Sequence, residues 1–116
     1  MIIPAYNEAE RLAAGFERLD RAVRQGAIDL DDLEVLVVDD GSTDKTAEVA
    51  AGLLRALPSG RVLVQGANRG KGAAVRAGVA ETRSEHLIFT DADMAIDPRQ
   101  TPTLLAALDR APIAIG

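Results

Sequence analysis

Two pairs of aspartates carry the chemistry in this sequence. Asp39 and Asp40 follow the apolar run Leu36-Val37-Val38 and lead into Gly41-Ser42-Thr43-Asp44, while Asp91 and Asp93 follow Leu87-Ile88-Phe89-Thr90. Asp91 and Asp93 are two residues apart, so an extended backbone projects both carboxylates to one side, where they can converge on a cation. Such a pair suits a hard divalent ion, Mg²⁺ or Mn²⁺, held by one or two carboxylates and completed by water and phosphate oxygens. Adjacent Asp39 and Asp40 point to opposite faces. They suit hydrogen bonds to a ligand's hydroxyls or ring N–H groups. A structural turn can also read D-x-D, and a polar loop with Asp44 as a helix cap can also read D-D-G-S-T-D. The surrounding elements decide between these readings.

Apolar runs at Met1–Ile3, Leu33–Val38, Arg61–Gln65, His86–Thr90 and Ile113–Ile115 predict strands, and the segments between them have helical spacing. Leu12, Phe16, Leu19 and Val23 recur at four, three and four, giving one apolar face that ends near Gln25-Gly26. Ala47, Ala50, Leu54 and Leu57 repeat the pattern before Pro58-Ser59-Gly60. A third helix from Lys71 to about Thr82 is rich in small residues, which predicts close packing on the sheet. A fourth is expected to start with Thr101 as N-cap and Pro102 at its first position, burying Leu104, Leu105 and Leu108. The β-α alternation predicts an α/β fold with a mostly parallel sheet between helices. In such a fold ligands bind beyond the carboxyl ends of the strands. Three strands end there in polar signatures: Pro4-Ala5-Tyr6-Asn7-Glu8, Asp39-Asp40-Gly41-Ser42 and Thr90-Asp91-Ala92-Asp93. No comparable cluster precedes the strands.

Composition narrows the function. Hydrophobic residues make up 47% of the 116 residues but aromatics only 3%, so Val, Leu, Ile and Ala must build the core of a single domain, 1–116. A net charge of -5 argues against nucleic acid as partner. The absence of cysteine excludes disulfides, thiolate metal sites and a cysteine nucleophile. No apolar run approaches the roughly 20 residues of a membrane span, and no signal peptide is visible, so the chain reads as cytoplasmic. A place at the inner face of a membrane stays open, through segments not present here. The short first strand and an apolar run ending at Gly116 lead to the expectation that this is part of a larger protein.

Gly66-Ala67-Asn68-Arg69-Gly70-Lys71-Gly72 follows a strand and opens a helix. It lacks the spacing and the hydroxyl of a P-loop, and the first turn lacks the dinucleotide-binding glycines. Lys71 and the helix N-terminus can still approach an anion, the alternative being a tight turn with a solvated lysine. Tyr6 can stack on a flat ring or cover the end of the core. His86, the single histidine, starts a strand and reads as a surface or packing residue.

Taken together, Ile3-Pro4-Ala5-Tyr6-Asn7-Glu8, Val37-Val38-Asp39-Asp40-Gly41-Ser42-Thr43-Asp44, Asn68-Arg69-Gly70-Lys71-Gly72 and Thr90-Asp91-Ala92-Asp93 resemble the family 2 glycosyltransferases. The resemblance is strongest to the polyprenyl-phosphate (dolichyl-phosphate) glucosyl- and mannosyltransferase branch. It implies a Rossmann-like GT-A fold with three α/β/α layers, a nucleotide-diphospho-sugar donor of the UDP-glucose or GDP-mannose type, a divalent metal, and transfer with inversion to an acceptor such as a polyprenyl phosphate. It implies that Pro4, Ala5, Tyr6 and Glu8 line the nucleoside pocket, that Asp39 and Asp40 meet base or ribose with Lys71 nearby, that Asp91 contacts the ribose or the metal, that Ala92 touches the donor between them, and that Asp93 binds the metal. Asp93 would be the principal ligand. Some relatives place a further polar ligand two residues after the second Asp, where this chain has Ala95. The general base on the acceptor falls beyond this sequence, so the chain is expected to hold the donor-binding half and to transfer sugar poorly by itself. Two other readings remain: a truncated module that only binds donor, and a phosphorelay receiver domain. The receiver needs a lysine at the end of a late strand, whereas Lys45 and Lys71 both precede Asp91.

Overall fold

The β-branched run at the centre of the chain forms the middle of a sheet buried on both sides. In the computed structural model, which describes residues 1–113, β2 (Val35–Asp39) lies between β1 (Ile2–Ala5) and β3 (Gly60–Val64). Both pairings are parallel, with Ile3 opposite Val37 and Val37 opposite Val62. Strand alternation sends Ile3, Val35 and Val37 to one face, against Leu12, Phe16 and Leu19 of α1 (Ala9–Arg24) and Ala50 and Leu54 of α2 (Thr46–Leu54). Ile2, Leu36 and Val38 face the other way, onto Ala74 and Ala77 of α3 (Lys71–Glu81). The result is the three-layer α/β/α arrangement expected from the β-α alternation. At the end of the sheet away from the polar signatures, Glu34 accepts from Arg61 (3.1 Å) and from the Thr82 hydroxyl (3.0 Å).

Three expectations are corrected. The strand expected at His86–Thr90 is a single parallel bridge between Phe89 and Ile2, made by Ile2 N–H to Ile88 O (2.7 Å) and Thr90 N–H to Ile2 O (3.1 Å). β1 is only four residues long, and Phe89, 60% exposed, has no covering layer among the described residues that would hold a longer ladder. The fourth helix, α4 (Thr101–Leu108), is entered through a 3₁₀ turn at Pro98–Gln100 whose cap is Asp97. Asp97-Pro98 is itself a cap followed by proline, and it acts one turn ahead of Thr101, which lies buried inside the helix. Leu104, Leu105 and Leu108 are half-buried rather than buried. Of the strand expected at Ile113–Ile115, Ile113 is exposed, irregular backbone and the remainder lies outside the described residues.

A clasp of short polar side chains joins the loops after β1 and β2. Asn7, in the left-handed region at φ 53°, donates its amide to Ser42 Oγ (2.9 Å) and accepts from the amide of Thr43 (2.9 Å) through its side-chain oxygen. The fully buried Thr46 hydroxyl accepts from the Glu8 amide (2.9 Å) and donates to Asp44. Asp44 also accepts from the Thr46 amide (2.9 Å), and these bonds hold its carboxyl below its ordinary value. Asp44 thus serves the first amide of α2 from one residue ahead of the cap position, which Lys45 occupies without a side-chain cap bond.

Two glycines give opposite expectations. A methyl on Gly78 of α3 would lie 2.6 Å from Ile2 Cγ2 and 3.2 Å from Val38 Cγ2, whereas one on Gly52 of α2 would meet nothing within 4 Å. Gly78→Ala should destabilise by about 1–3 kcal/mol through overpacking, and Gly52→Ala should stabilise by up to about 1 kcal/mol through helix propensity, both read by denaturant unfolding. Thr46→Val keeps the shape but leaves the Glu8 amide without its acceptor, at a cost of about 1–3 kcal/mol. Because the Asp44 carboxyl is lowered in the folded state, its contribution is present above its unfolded value and is lost as pH falls through its folded one. NMR titration of Thr46→Val should show the Asp44 carboxyl moving back up, with acid unfolding starting at higher pH than in the wild type.

Candidate functional site

Four loops meet at the carboxyl end of the sheet and line a half-open cavity of about 390 Å³. Pro4, Ala5, Tyr6, Glu8, Asp40, Lys71, Asp91, Ala92 and Asp93 all line it, so the structure brings together every site residue expected from the sequence except Asp39. The volume lies within the range of small-molecule pockets, about 300–1,000 Å³.

The two central carboxylates diverge as strand alternation requires. Asp39, 3% exposed, is turned onto its own loop, accepting from the amide (3.1 Å) and hydroxyl of Ser42. It was expected to meet base or ribose; instead it shapes the Gly41-Ser42 turn from behind. Asp40, 2% exposed, reaches the opposite way and accepts from the amides of Arg69 (3.0 Å) and Gly70 (2.7 Å). A buried charge of this kind persists because several donors meet it. Asp40 thus pins the Asn68–Gly70 loop while its edge still borders the cavity. Gly41, which follows Asp40 at φ 72°, lies so close to the Ala67 backbone that a Cβ would approach to 2.7 Å.

The Asp91-Ala92-Asp93 segment is not the extended backbone expected, because the Met94 amide closes a turn onto the Asp91 carbonyl (2.9 Å), and the turn is held against α1. A Cβ on Gly15 would lie 2.1 Å from Ala92 O, so only glycine lets this loop settle on the helix. Met94 adopts φ 48°, its side chain is fully buried, and Arg18 Nη1 donates to its carbonyl (3.2 Å). A non-glycine residue in this region stores about 1–3 kcal/mol of strain, here over-determined by core packing. The Ala95 amide donates to Asp93 Oδ1 (3.1 Å). Asp91 is ion-paired with the Lys71 ammonium.

The ligand atoms of the site suit a hard divalent ion. Asp91 and Asp93 offer hard oxygen ligands from one segment, and no cysteine exists in the chain to favour a softer metal. His86 is exposed. Among the described residues no group of three or more His, Cys, Asp or Glu is placed to hold a metal. The pair fits Mg²⁺ or Mn²⁺ completed by ligand and water oxygens, and does not fit an all-protein cage.

Arg11, Asn68, Gly70 and Ala74 also line the cavity and were not singled out from the sequence. The signal for Arg11 was its place one turn after Glu8, with which it pairs at 3.5 Å. Asn68 and Gly70 stood inside a quoted motif, but their part depends on the Asp40 contact, which links positions 29 and 30 residues apart.

The comparisons agree with this geometry. Residues 1–116 match the Glycosyl transferase family 2. The dolichyl-phosphate beta-glucosyltransferase of Drosophila melanogaster is 40% identical over 99 residues, covering 82% of this chain and 30% of that protein. The dolichol-phosphate mannosyltransferase of Pyrococcus furiosus is 37% identical over 117 residues, covering 100% of this chain and 32% of that protein. A mannosyltransferase from Pyrobaculum calidifontis, solved in complex with GDP-Man and Mn²⁺, superposes with a TM-score of 0.77 at 29% identity, covering 95% of this chain and 32% of that one. S. aureus TarS 1-349 in complex with UDP superposes with a TM-score of 0.75 at 25% identity, covering 93% and 31%. The chain spans about a third of the length of the curated relatives it matches. With its motifs gathered at one end of a GT-A α/β/α fold, this chain belongs to glycosyltransferase family 2.

Proposed function

We propose that the cavity binds a nucleotide-diphospho-sugar of the UDP- or GDP-sugar type and that the protein transfers the sugar, with inversion, to an acceptor such as a polyprenyl phosphate. The observation that carries this reading is the meeting of Asp91 and Asp93 with Lys71 and the start of α3 across one cavity, beside the Tyr6 loop. The GDP-Man and UDP complexes of the neighbouring structures and the dolichyl-phosphate names of the relatives support it.

In this reading Tyr6, 42% exposed, stacks on the base, and Pro4 and Ala5 form the floor beneath it. Asp40 keeps a free lone-pair direction for a ring N–H or ribose hydroxyl while its amide bonds fix the wall, and Asp39 holds the turn beside it. The first amides of α3 have no intrahelical acceptor and, with Lys71, face phosphate oxygens. Asp91 and Asp93 would hold the divalent ion. When bound there, such an ion would supply positive charge to offset the charge that develops on the departing nucleoside diphosphate.

Calorimetry with UDP and GDP, with and without Mn²⁺, tests the donor site. One nucleotide should bind, and Mn²⁺ should strengthen it. Asp93→Asn should remove the Mn²⁺-dependent increment, and Asp40→Ala should weaken binding without metal by about tenfold, the loss of one to two hydrogen bonds. Failure of both nucleotides to bind under every condition would sink the proposal. Radiolabelled UDP-glucose or GDP-mannose with a polyprenyl phosphate then tests transfer.

A further inference from the structure

Lys71 occupies a place that helix electrostatics disfavours. It is the first residue of α3, where the helix carries partial positive charge, and no acidic residue in the first turn offsets it. Gly70 caps the helix at φ 90° without a side-chain acceptor. The ammonium instead crosses the cavity to Asp91, twenty residues on, and pairs with Oδ1. This is one of the two carboxylates on which the metal reading rests. Among the described residues Asp93 has no such cationic partner; its Oδ1 accepts from the Ala95 amide.

We propose that Lys71 is a resident counter-cation for the metal pair, held on Asp91 until a divalent ion displaces it, and that the displaced ammonium then becomes a ligand of the donor's diphosphate. This rests on the donor-site reading above and deepens it. An ammonium and a divalent ion on the same carboxylate repel at a few ångströms, so arrival of one drives out the other. The Lys71 backbone is fixed, because its loop is bonded to Asp40 through the Arg69 and Gly70 amides. Only the flexible side chain has to move, which is the property that separates a lysine from the planar fork of arginine. Both ends of the exchange lie within the lining of one cavity. The exchange couples the two binding events: metal uptake releases the cation that the diphosphate needs.

The consequence is a pair of effects of opposite sign. Titration of free Mn²⁺ by electron paramagnetic resonance, without nucleotide and at about 0.15 M salt, should show Lys71→Met binding Mn²⁺ about 3- to 5-fold more tightly than wild type, the scale of an exposed ion pair removed. The same variant at saturating Mn²⁺ should bind UDP or GDP several-fold more weakly. Lys45→Met removes the same charge from a residue outside this cavity and should leave Mn²⁺ affinity within twofold of wild type. Circular dichroism of both variants checks that they fold. If wild type takes up Mn²⁺ but Lys71→Met binds it no tighter, or if Lys45→Met gains as much, the exchange is wrong and the donor site stands. If wild type takes up no Mn²⁺ even with nucleotide present, the metal reading falls and the exchange with it.

Discussion

The structure depends on two buried carboxylates at the end of one strand. Asp39 and Asp40 are adjacent and almost fully shielded from water, so each must find donors inside the protein. Strand alternation sends them apart, and each organises a different layer. Asp39 draws in the Ser42 amide and hydroxyl on the α2 side, and Asp40 draws in the Arg69 and Gly70 amides on the α3 side. The sheet end is thus tied to both helical layers through charge-assisted bonds, stronger than neutral ones and costly to leave unmade. Gly41 separates the two turns and is pressed against the Ala67 backbone, so the loops on either side of it fit only one way.

The remaining loops are locked to this frame by contacts that leave the cavity itself polar. Asn7, Thr46 and Asp44 bind the β1 loop to the β2 loop using short side chains, which lose little rotamer freedom on ordering. Gly15 and the buried Met94 seat the Asp91-Ala92-Asp93 segment on α1. The functional side chains therefore stand on backbone that is fixed from behind, while Lys71, Asp91 and Tyr6 remain exposed at their tips. Preorganised backbone with mobile charged tips suits a site that must exchange one charged partner for another.

Much of this was legible because it is periodic. The opposite facing of Asp39 and Asp40 follows from strand alternation, the apolar face of α1 from its four-three-four spacing, and the close seat of α3 from its small residues, realised at Ala74 and Gly78. What was not legible is pairwise and non-local. Spacing alone does not say that Asp40 meets amides 29 and 30 residues away, that Lys71 closes onto Asp91, or that Gly15 receives the Ala92 carbonyl. The start of the fourth helix was missed for another reason. Asp97-Pro98 and Thr101-Pro102 are competing start signals one turn apart, and the earlier one captures the chain by capping with Asp97. The strand at Phe89 shrank to one bridge because ladder length is set by the partner, and β1 offers it only Ile2.

The charge pattern of the cavity constrains how any anion enters it. Glu8, Asp40, Asp91 and Asp93 face only two cations, Arg11 and Lys71, and each cation is already paired, with Glu8 and Asp91 respectively. A nucleoside diphosphate arriving alone meets a lining with excess negative charge and no free cation. Its attraction is then limited to the helix start and to stacking. In the proposed exchange a divalent ion would reverse this balance twice, by its own charge and by freeing a lysine that already stands on a loop fixed by Asp40. If the cavity takes an anion as proposed, its excess of acidic groups requires positive charge to accompany the ligand, and with no group of three or more His, Cys, Asp or Glu placed to hold a metal among the described residues, the proposal has the ligand supply the remaining oxygens.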